Sequence, residues 1–285
     1  MREVKPYSLN IKGRLVEINR PQVMGILNVT PDSFFTDSRS FDVDAISHRV
    51  ATMVAEGADM IDIGAYSSRP GAGEVSAIEE MQRLERGMAI VRKIAPSILV
   101  SVDTFRADVA RYAVESLGVD MVNDISAGLL DDNMVATVAQ LKVPYIAMHM
   151  RGTPATMSEM TQYDNVVADV MRELSQRINE FTLAGINDII IDPGFGFAKT
   201  TEQNYELLQN LELFHELGYP LLVGVSRKSM IYRALGVTPD DALNGTTVVN
   251  TIALQTGASI LRVHDVKQAV EAVKIMMLTN KQYNS

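Results

Sequence analysis

The sequence predicts a (β/α)8 barrel, and three observations support that fold class. Eight short apolar runs rich in Val, Ile or Leu recur along the chain, as is typical of strands buried on both faces of a parallel sheet. Segments of helical periodicity separate these runs. A glycine stands between a helical segment and the next strand at five places, Gly57, Gly118, Gly185, Gly218 and Gly257. An open, doubly wound sheet is the alternative, but eight units favour a closed barrel.

The first twenty residues lie outside the repeat. Residues 8–18 alternate around Gly13 and predict a β-hairpin, which we expect to cover the N-terminal end of the barrel. No linker or low-complexity stretch divides the 285 residues. We therefore expect a single domain over residues 1–285, with residues 1–20 as an N-terminal hairpin extension.

The strands follow in order from the apolar runs, and the helices from the segments between them. The predicted strands are Val23–Leu27, Met60–Ile63, Ile98–Val102, Asp120–Val122, Tyr145–Met148, Ile189–Ile191, Leu221–Val225 and Ser259–Val263. In residues 44–54, Ile46, Val50 and Met53 share one helical stripe. Residues 166–183 and 266–278 show the same periodicity.

Composition and charge exclude several function classes. The chain has no cysteine, which excludes disulfides, thiolate metal sites and a cysteine nucleophile, and only 4 histidines. It has no tryptophan and a formal net charge of −9, which argues against binding to nucleic acid or to an anionic membrane. No signal-like segment and no run of 18 apolar residues is present, so we expect a cytoplasmic protein.

Polar side chains follow the predicted strands at the barrel end where active sites lie. They are Asn28, Asp103, Asn123, Asp124, His149, Asp192, Ser226, Arg227, Lys228, Ser229, Arg262 and His264. An aspartate after an apolar run is often only a helix N-cap, so unrelated caps are the alternative. Convergence from several strands favours a binding site.

The residue types indicate the ligand. The carboxylates of Asp103 and Asp192 and the amide of Asn123 suit a flat heterocycle that carries NH groups. The cations expected after strands 7 and 8 suit a phosphate, which barrels commonly bind there; they are Arg227, Lys228, Arg262 and His264. The sequence thus predicts a ligand with a donor-rich ring at one end and a phosphate at the other.

Other polar residues are open to a structural interpretation. His48 and His215 lie in helical segments and are interpreted as surface or packing residues. His149 either faces the site or has a structural role. Asp62, inside an apolar strand, needs buried partners and is interpreted as structural support or as a residue behind the ligand contacts. Met148 is a candidate ligand contact.

Seven sequence blocks, in order along the chain, resemble those of the dihydropteroate synthase family. The blocks are Met24–Phe34, Ser68–Ala72, Val102–Thr104, Val122–Asp124, Asp192–Phe197, Ser226–Ser229 and Arg262–Asp265. The resemblance runs from about residue 22 to 275. It is specific as a combination, although no single block would be.

The resemblance implies a magnesium-dependent transferase of folate synthesis. The implied reaction joins p-aminobenzoate to 6-hydroxymethyl-7,8-dihydropterin diphosphate and releases diphosphate. The implied pterin-binding residues are Asp103, Asn123, Asp192, Phe197, Lys228 and Arg262. The implied diphosphate-binding residues are Asn28, Arg262 and His264, and the implied Mg²⁺ ligand is Asn28. The implied p-aminobenzoate residues are Ser68, Arg69, Pro70 and Ser229, and the implied catalytic residues are Asp37, Arg69 and Lys228. A homodimer is also implied, with no nucleic-acid or membrane partner.

Two loops depart from the family pattern. Residues 65–68 read Ala-Tyr-Ser-Ser where the family usually has Gly-Glu-Ser-Thr, so a hydroxyl is kept at Ser68 and an acid is lost. Residues 33–38 read Ser-Phe-Phe-Thr-Asp-Ser, without the usual glycines and with one extra residue. The loop aspartate of the family is assigned to Asp37.

Two rival functions remain open from the sequence. A methyltransferase acting on methyltetrahydrofolate and a corrinoid protein would share the acidic pterin pocket but would not need the Ser-Arg-Pro loop. A catalytically silent barrel that binds a pterin or a phosphate is the other. An assay for diphosphate release with p-aminobenzoate, with and without Mg²⁺, separates the three.

Overall fold

The computed structural model describes residues 6–30, 39–66 and 75–279. Its strands are β1 (Tyr7–Ile11), β2 (Arg14–Ile18), β3 (Gln22–Asn28), β4 (Met60–Gly64), β5 (Leu99–Asp103), β6 (Met121–Asp124), β7 (Tyr145–Met148), β8 (Ile189–Asp192), β9 (Leu222–Val223) and β10 (Ile260–Val263). Its α-helices are α1 (Arg39–Ala55), α2 (Ala77–Ile94), α3 (Ala107–Glu115), α4 (Met134–Leu141), α5 (Val166–Ala184), α6 (Thr201–Gln209), α7 (Ser229–Leu235), α8 (Leu243–Gln255) and α9 (Val266–Thr279). Short 3-10 helices cover Met157–Glu159 and Leu211–Leu217. Among these residues, no helix has the length and apolar content needed to span a bilayer.

Strands β3 to β10 form a closed ring of parallel strands within the described part of the chain. The pairing order is β8-β7-β6-β5-β4-β3-β10-β9. A parallel bridge between Ile191 and Leu221 joins the two ends, and the amide of Ile191 donates to the carbonyl of Pro220 at 3.0 Å. The predicted barrel is therefore confirmed, and the open sheet is excluded.

Side chains alternate between the inside of the ring and the helical layer around it, because successive residues of a strand face opposite sides. In β4, Met60 packs inside the ring, whereas Ile61 and Ile63 pack in the core between strands and helices. We call the lowest inner layer the barrel floor. It consists of Met24, Met60, Met121, Ile146, Ile190, Leu222 and Ile260.

The N-terminal hairpin closes the barrel floor, as predicted. Strands β1 and β2 pair in antiparallel fashion, and Leu9, Ile11 and Ile18 are buried against the floor residues. The turn between the strands, Lys12–Gly13, has φ of 52° and 81°, the left-handed pair that a tight two-residue hairpin requires. The Lys12 ammonium lies 2.7 Å from the Asp120 carboxylate, which fastens the hairpin to the barrel.

The five glycines predicted to end helices all have positive φ, from 68° to 95°. At Gly257 a close contact adds to the conformational requirement, because a Cβ there would lie 2.5 Å from Nε2 of His215. The same nitrogen lies 2.9 Å from the carbonyl of Thr256. His215 therefore packs at the end of α8, which supports its structural interpretation.

Strand β9 is shorter than the apolar run that predicted it. The run extends over Leu221–Val225, but regular pairing covers only Leu222–Val223. The chain leaves the ladder at Gly224, where a Cβ would lie 3.8 Å from Cβ of Arg262 and 3.9 Å from a carboxylate oxygen of Asp192. The glycine thus leaves space inside the barrel between two residues of the predicted site.

Candidate active site

The inner face above the barrel floor carries the predicted site residues. Because alternate residues of a strand share a face, the next inner layer comes two positions after the floor. It consists of Ile26, Asp62, Ser101, Asn123, Met148, Asp192, Gly224 and Arg262. Two positions further, Asn28, Gly64, Asp103, Ser226 and His264 reach the barrel mouth. The structure therefore brings Asn28, Asp103, Asn123, Asp192, Arg262 and His264 to one end of the barrel.

Asp62 is the centre of a buried hydrogen-bond network. Its side chain is fully buried, and one carboxylate oxygen accepts a hydrogen bond from the hydroxyl of Ser101. The other accepts from Nδ2 of Asn123 at 3.0 Å and from Nε of Arg262 at 2.6 Å. These bonds orient the Asn123 amide so that its oxygen remains available to a ligand. Asp62 thus supports Asn123 and Arg262 from within the barrel, which is compatible with both roles considered from the sequence.

Arg262 connects this network to the mouth. Its Nη2 lies 2.6 Å from Oδ2 of Asp103, so one guanidinium pairs with two carboxylates. Burial raises the pKa of Asp103 to about 7, and Arg262 limits that rise by favouring the charged form. Burial alone would lower the pKa of Arg262, but Asp62 and Asp103 raise it, and the guanidinium stays charged.

Asp192 begins a glycine-rich turn that holds Lys228 and Phe197. The Asp192 carboxylate accepts a hydrogen bond from the amide of Gly194 at 2.7 Å. Lys228 donates to the carbonyl of Phe195, and its Nζ lies 4.6 Å from the centre of the Phe197 ring. Burial raises the pKa of Asp192 and lowers that of Lys228 to about 8. A carboxylate, a cation and an aromatic face therefore adjoin one another in this part of the mouth.

An apolar wall completes this part of the mouth. Met148 is buried in a cluster with Ile125 and Met150, and Phe197 packs against the same cluster. In the strand ladder, Met148 is the direct neighbour of Asp192. Polar groups thus stand beside a hydrophobic surface, the arrangement that suits a flat heterocycle with polar edges.

His264 reaches the mouth, but the structure corrects its predicted charge. Its backbone amide donates to the hydroxyl of Ser226 at 3.1 Å, and its Nδ1 lies 3.2 Å from the same oxygen. Burial, with Arg262 nearby, lowers the pKa of His264 to about 4. The imidazole is therefore neutral at pH 7, so His264 offers a diphosphate a hydrogen bond rather than a positive charge.

Two other residues of the predicted mouth serve the scaffold. Asp124 faces away from the barrel interior and accepts hydrogen bonds from the hydroxyl of Tyr145 at 2.7 Å and from the amide of Gly128 at 2.7 Å. Arg227 has φ of 55°, pairs with Asp265 at 2.8 Å and donates to two carbonyls of the loop before α8. Its guanidinium is therefore committed to a loop contact and not to a phosphate.

The remaining histidines are placed differently from one another. His48 is exposed on α1, in agreement with its interpretation as a surface residue. His149 is buried outside the barrel, because it follows Met148 by one position and so faces the other way. Its ring lies between Glu173 and Lys199, which supports the structural alternative.

Several predicted site residues lie outside the described residues. They are Asp37 in the loop after β3 and Ser68, Arg69 and Pro70 in the loop after β4. Ser229 is described: it is half-buried and begins α7, directly after Lys228. Over residues 6–30, 39–66 and 75–279, no group of three or more histidines and carboxylates has the spacing of a metal site.

Sequence reasoning missed Ser101 and Lys199. Ser101 follows Leu99 by two positions, so strand alternation identifies it as an inner residue once Asp62 is placed opposite it. Lys199 stands just before α6 and has no such signal, because a lysine near a helix end is ordinarily solvated. In the structure only 9% of its surface is exposed.

The comparisons with known proteins agree with this arrangement. A family model described as pterin binding enzyme matches residues 24–264. The dihydropteroate synthase of Haemophilus influenzae is 43% identical over 97% of this chain and 99% of its own length. That of Escherichia coli is 42% identical over 95% and 98%.

Solved structures give the same result. A dihydropteroate synthase from Xanthomonas albilineans with 4-aminobenzoic acid superposes with a TM-score of 0.88 at 38% identity, covering 96% of this chain and 98% of that one. A second structure of the Xanthomonas enzyme, in complex with 7,8-dihydropteroate, has a TM-score of 0.85 at 37% identity and covers 96% and 98%.

Proposed function

Since the chain belongs to the dihydropteroate synthase family of pterin-binding enzymes, we propose that it condenses p-aminobenzoate with 6-hydroxymethyl-7,8-dihydropterin diphosphate. The products are 7,8-dihydropteroate and diphosphate, and the reaction belongs to folate biosynthesis. The observation that carries the proposal is the convergence of Asp103, Asn123 and Asp192 beside Lys228 and Phe197 at the barrel mouth.

The pterin pocket combines hydrogen-bonding edges with two ring faces. Asp192 accepts from the NH groups of the pterin, and the oriented Asn123 amide and Asp103 contact the opposite edge of the ring. Lys228 donates to a ring acceptor. Phe197 and the Arg262 guanidinium flank the ring faces; in support, Phe197 packs against the apolar wall and Arg262 is close enough to act on the charge of Asp192.

The diphosphate is bound by Asn28, Arg262 and His264. Arg262 supplies a fixed positive charge and His264 a neutral donor. Asn28 would hold a magnesium ion together with the substrate: its side-chain oxygen is a ligand type that Mg²⁺ accepts, and it lies near Gly64, as does the carboxylate of Asp103. Mg²⁺ commonly takes one or two protein oxygens and completes its shell with phosphate and water. When bound, it would neutralise charge on the leaving diphosphate.

The p-aminobenzoate is assigned to Ser68, Arg69, Pro70 and Ser229. Ser229 adjoins Lys228, so p-aminobenzoate bound at Ser229 lies next to the pterin pocket. The assignment of the three loop residues, Ser68, Arg69 and Pro70, rests on the family resemblance alone. Catalytic roles are assigned to Asp37, Arg69 and Lys228.

The reaction needs charge stabilisation and positioning more than a strong base. The bond from the pterin methylene carbon to oxygen breaks, and its electron pair leaves with the diphosphate. The neutral amino group of p-aminobenzoate attacks that carbon and then releases a proton to solvent. Arg262 stabilises the departing charge, Lys228 and Asp192 fix the ring, and Asp37 stabilises the positive charge that develops on carbon.

The decisive experiment incubates the purified chain with both substrates and measures released diphosphate and dihydropteroate, with Mg²⁺ and with a chelator. We expect release only with p-aminobenzoate and stronger turnover with Mg²⁺. Methyl transfer from methyltetrahydrofolate without diphosphate release would favour the corrinoid-linked rival. Pterin binding without any product would favour the silent barrel.

The cellular setting and the assembly state are parts of the same proposal. We assign the enzyme to the cytoplasm and to a homodimer formed through α8 and α9. Exposed apolar side chains on these helices support the dimer: Val248, Ile252, Ile275 and Leu278. Sedimentation measures the mass directly, and a monomer at micromolar concentration would contradict the dimer.

A further inference from the structure

The turn of residues 193–198, which comes directly after Asp192, is held from outside the barrel by a chain of three ionisable side chains, two buried and one half-buried. We call Glu173, His149 and Lys199 the Glu-His-Lys chain. None of its members faces the barrel interior, and the proposed reaction uses none of them. Their common neighbour is the turn that carries the aromatic face of the pterin pocket, so any role of the Glu-His-Lys chain in binding rests on the proposed pterin site.

The geometry of the Glu-His-Lys chain is a continuous set of hydrogen bonds. Nε2 of His149 lies 2.9 Å from Oε2 of Glu173, and its Nδ1 lies 3.0 Å from Nζ of Lys199. The same ammonium donates to the carbonyls of Gly194 and Phe197, each at 3.0 Å. Lys199 thus binds the turn at both of its ends.

The ammonium determines the tautomer of His149. Below its pKa of about 7, Lys199 is an ammonium that only donates, so Nδ1 accepts and the ring proton resides on Nε2, facing the Glu173 carboxylate. Burial, with Lys199 adjacent, lowers the pKa of His149 to about 4, so the ring is neutral at pH 7. The neutral ring therefore connects a buried cation to a carboxylate that is 30% exposed.

The turn is also in tight contact with the strand beneath it. Gly194 has φ of 73°, and a Cβ there would lie 1.9 Å from the carbonyl oxygen of His149. Further along, the Phe195 carbonyl accepts the bond from Lys228, and the Phe197 ring lies against the same ammonium. A shift of the turn would therefore displace Lys228 and Phe197 together.

The surroundings of Lys199 disfavour its charged form. Burial lowers the pKa of Lys199 to about 7, so an apolar side chain would be easier to accommodate there. Three acceptors nevertheless converge on it, and two of them are carbonyls of the turn. We infer that Lys199, supported by His149 and Glu173, is a positioning residue that holds the 193–198 turn in its pterin-binding conformation.

The test compares Lys199→Met with wild type in steady-state kinetics and thermal unfolding. We expect KM for the pterin diphosphate to rise about tenfold or more, because losing hydrogen bonds from a charged donor frees the turn. KM for p-aminobenzoate should change less than about twofold. Lys93→Met, on the exposed last turn of α2, is the matched control and should behave as wild type.

Three outcomes of the kinetic comparison would overturn the inference. One is an unchanged pterin KM in folded Lys199→Met. Another is an equal rise in both KM values, which would indicate general loosening of the barrel. If Lys199→Met does not fold, Glu173→Gln decides, because its amide oxygen still accepts from Nε2 of His149 but lacks the charge that supports Lys199 through the ring. Glu173 also pairs with Arg151, so Arg151→Gln is measured beside it to account for the loss of that ion pair. The third outcome that would overturn the inference is then a KM for the pterin diphosphate in Glu173→Gln that equals the wild-type value within error.

A spectroscopic measurement separates this inference from the proposed reaction. In ¹⁵N-histidine spectra of the full chain at about pH 5.5, where Lys199 is charged and His149 is neutral, His149 should show a protonated Nε2 and an unprotonated Nδ1; a His149→Asn variant assigns the signal. The opposite tautomer would contradict the Glu-His-Lys chain. If the wild type makes no dihydropteroate, calorimetric titration of wild type and Lys199→Met with 6-hydroxymethylpterin still tests the positioning role, and equal affinity would overturn it.

Discussion

The barrel floor and the barrel mouth are built from the same strands and differ in what the inner positions contain. In β4, Met60 lies in the floor and Asp62 lies one inner layer higher. In β10, the same step leads from Ile260 to Arg262. The floor is apolar and closed by the hairpin, whereas the mouth is polar and open to ligand.

The difference teaches how one barrel separates stability from function. The floor gains free energy from apolar burial and carries no group that can react. The mouth buries charges that need partners, so part of its stability depends on complete ion pairing. Substitutions in the two regions should therefore change different measured quantities.

The largest effect on the free energy of unfolding is expected for Arg262→Ala. Removing the guanidinium leaves the buried Asp62 and the half-buried Asp103 without their cation, which costs about 3–5 kcal/mol. Denaturant unfolding measures the loss. Calorimetry should also show a greater loss of affinity for the pterin diphosphate than for the bare pterin. Equal losses for the two ligands would mean that Arg262 acts mainly on the ring.

A floor substitution should lower stability without changing recognition. Met60→Ala removes a fully buried side chain and should cost about 2–5 kcal/mol. In the folded protein, kcat and both KM values should remain as in wild type. A selective change in the KM for the pterin diphosphate would contradict the idea that the floor affects only stability and the mouth governs recognition.

Asp192→Asn should weaken pterin binding without lowering the stability of the fold, the reverse of the floor substitution. Pterin affinity, measured by calorimetry, should fall about tenfold or more, because an amide nitrogen replaces a charged acceptor. Burial raises the pKa of Asp192 in the folded state above its value in the unfolded chain. The charged carboxylate is therefore disfavoured by folding, and it lowers the free energy of unfolding as the pH rises above the ordinary pKa of a carboxyl group. The variant should therefore be as stable as wild type at pH 7, or more so. Unchanged pterin affinity would remove Asp192 from the pocket.

The smallest effect is expected for His264→Gln. Because the imidazole is neutral at pH 7, an amide donor should preserve most of its contact with diphosphate, and KM should rise only about two- to threefold. His264→Ala should be worse than His264→Gln. Equal impairment of the two variants would indicate that His264 acts as a cation after all.

Strand alternation explains why so much of the fold and site could be predicted from the sequence. Apolar runs with helical segments between them located the eight strands and the hairpin. The first polar residue after each run located Asn28, Asp103 and Asp192 at the correct end. Both inferences rest on local periodicity, which the chain displays directly.

The prediction was weakest where a residue's role depends on the direction of its side chain and on the groups around it. Asn123 and Asp124 are adjacent, but one faces the barrel interior and the other faces Tyr145. Arg227 and Lys228 are likewise adjacent, and only Lys228 is directed to the pocket. Both members of each pair follow the same strand, and residue type alone does not show which of them faces the interior, so sequence reasoning placed both at the mouth.

By itself, the sequence determined the barrel, the hairpin that closes its floor and the chemical types at its mouth, because these depend on short-range patterns. Only the tertiary structure decided that Asp62 organises Asn123 and Arg262, that His264 is neutral and that Lys199 is buried against the 193–198 turn. Each of these depends on residues distant in sequence that meet in a medium of low dielectric, where burial and partners set protonation and orientation.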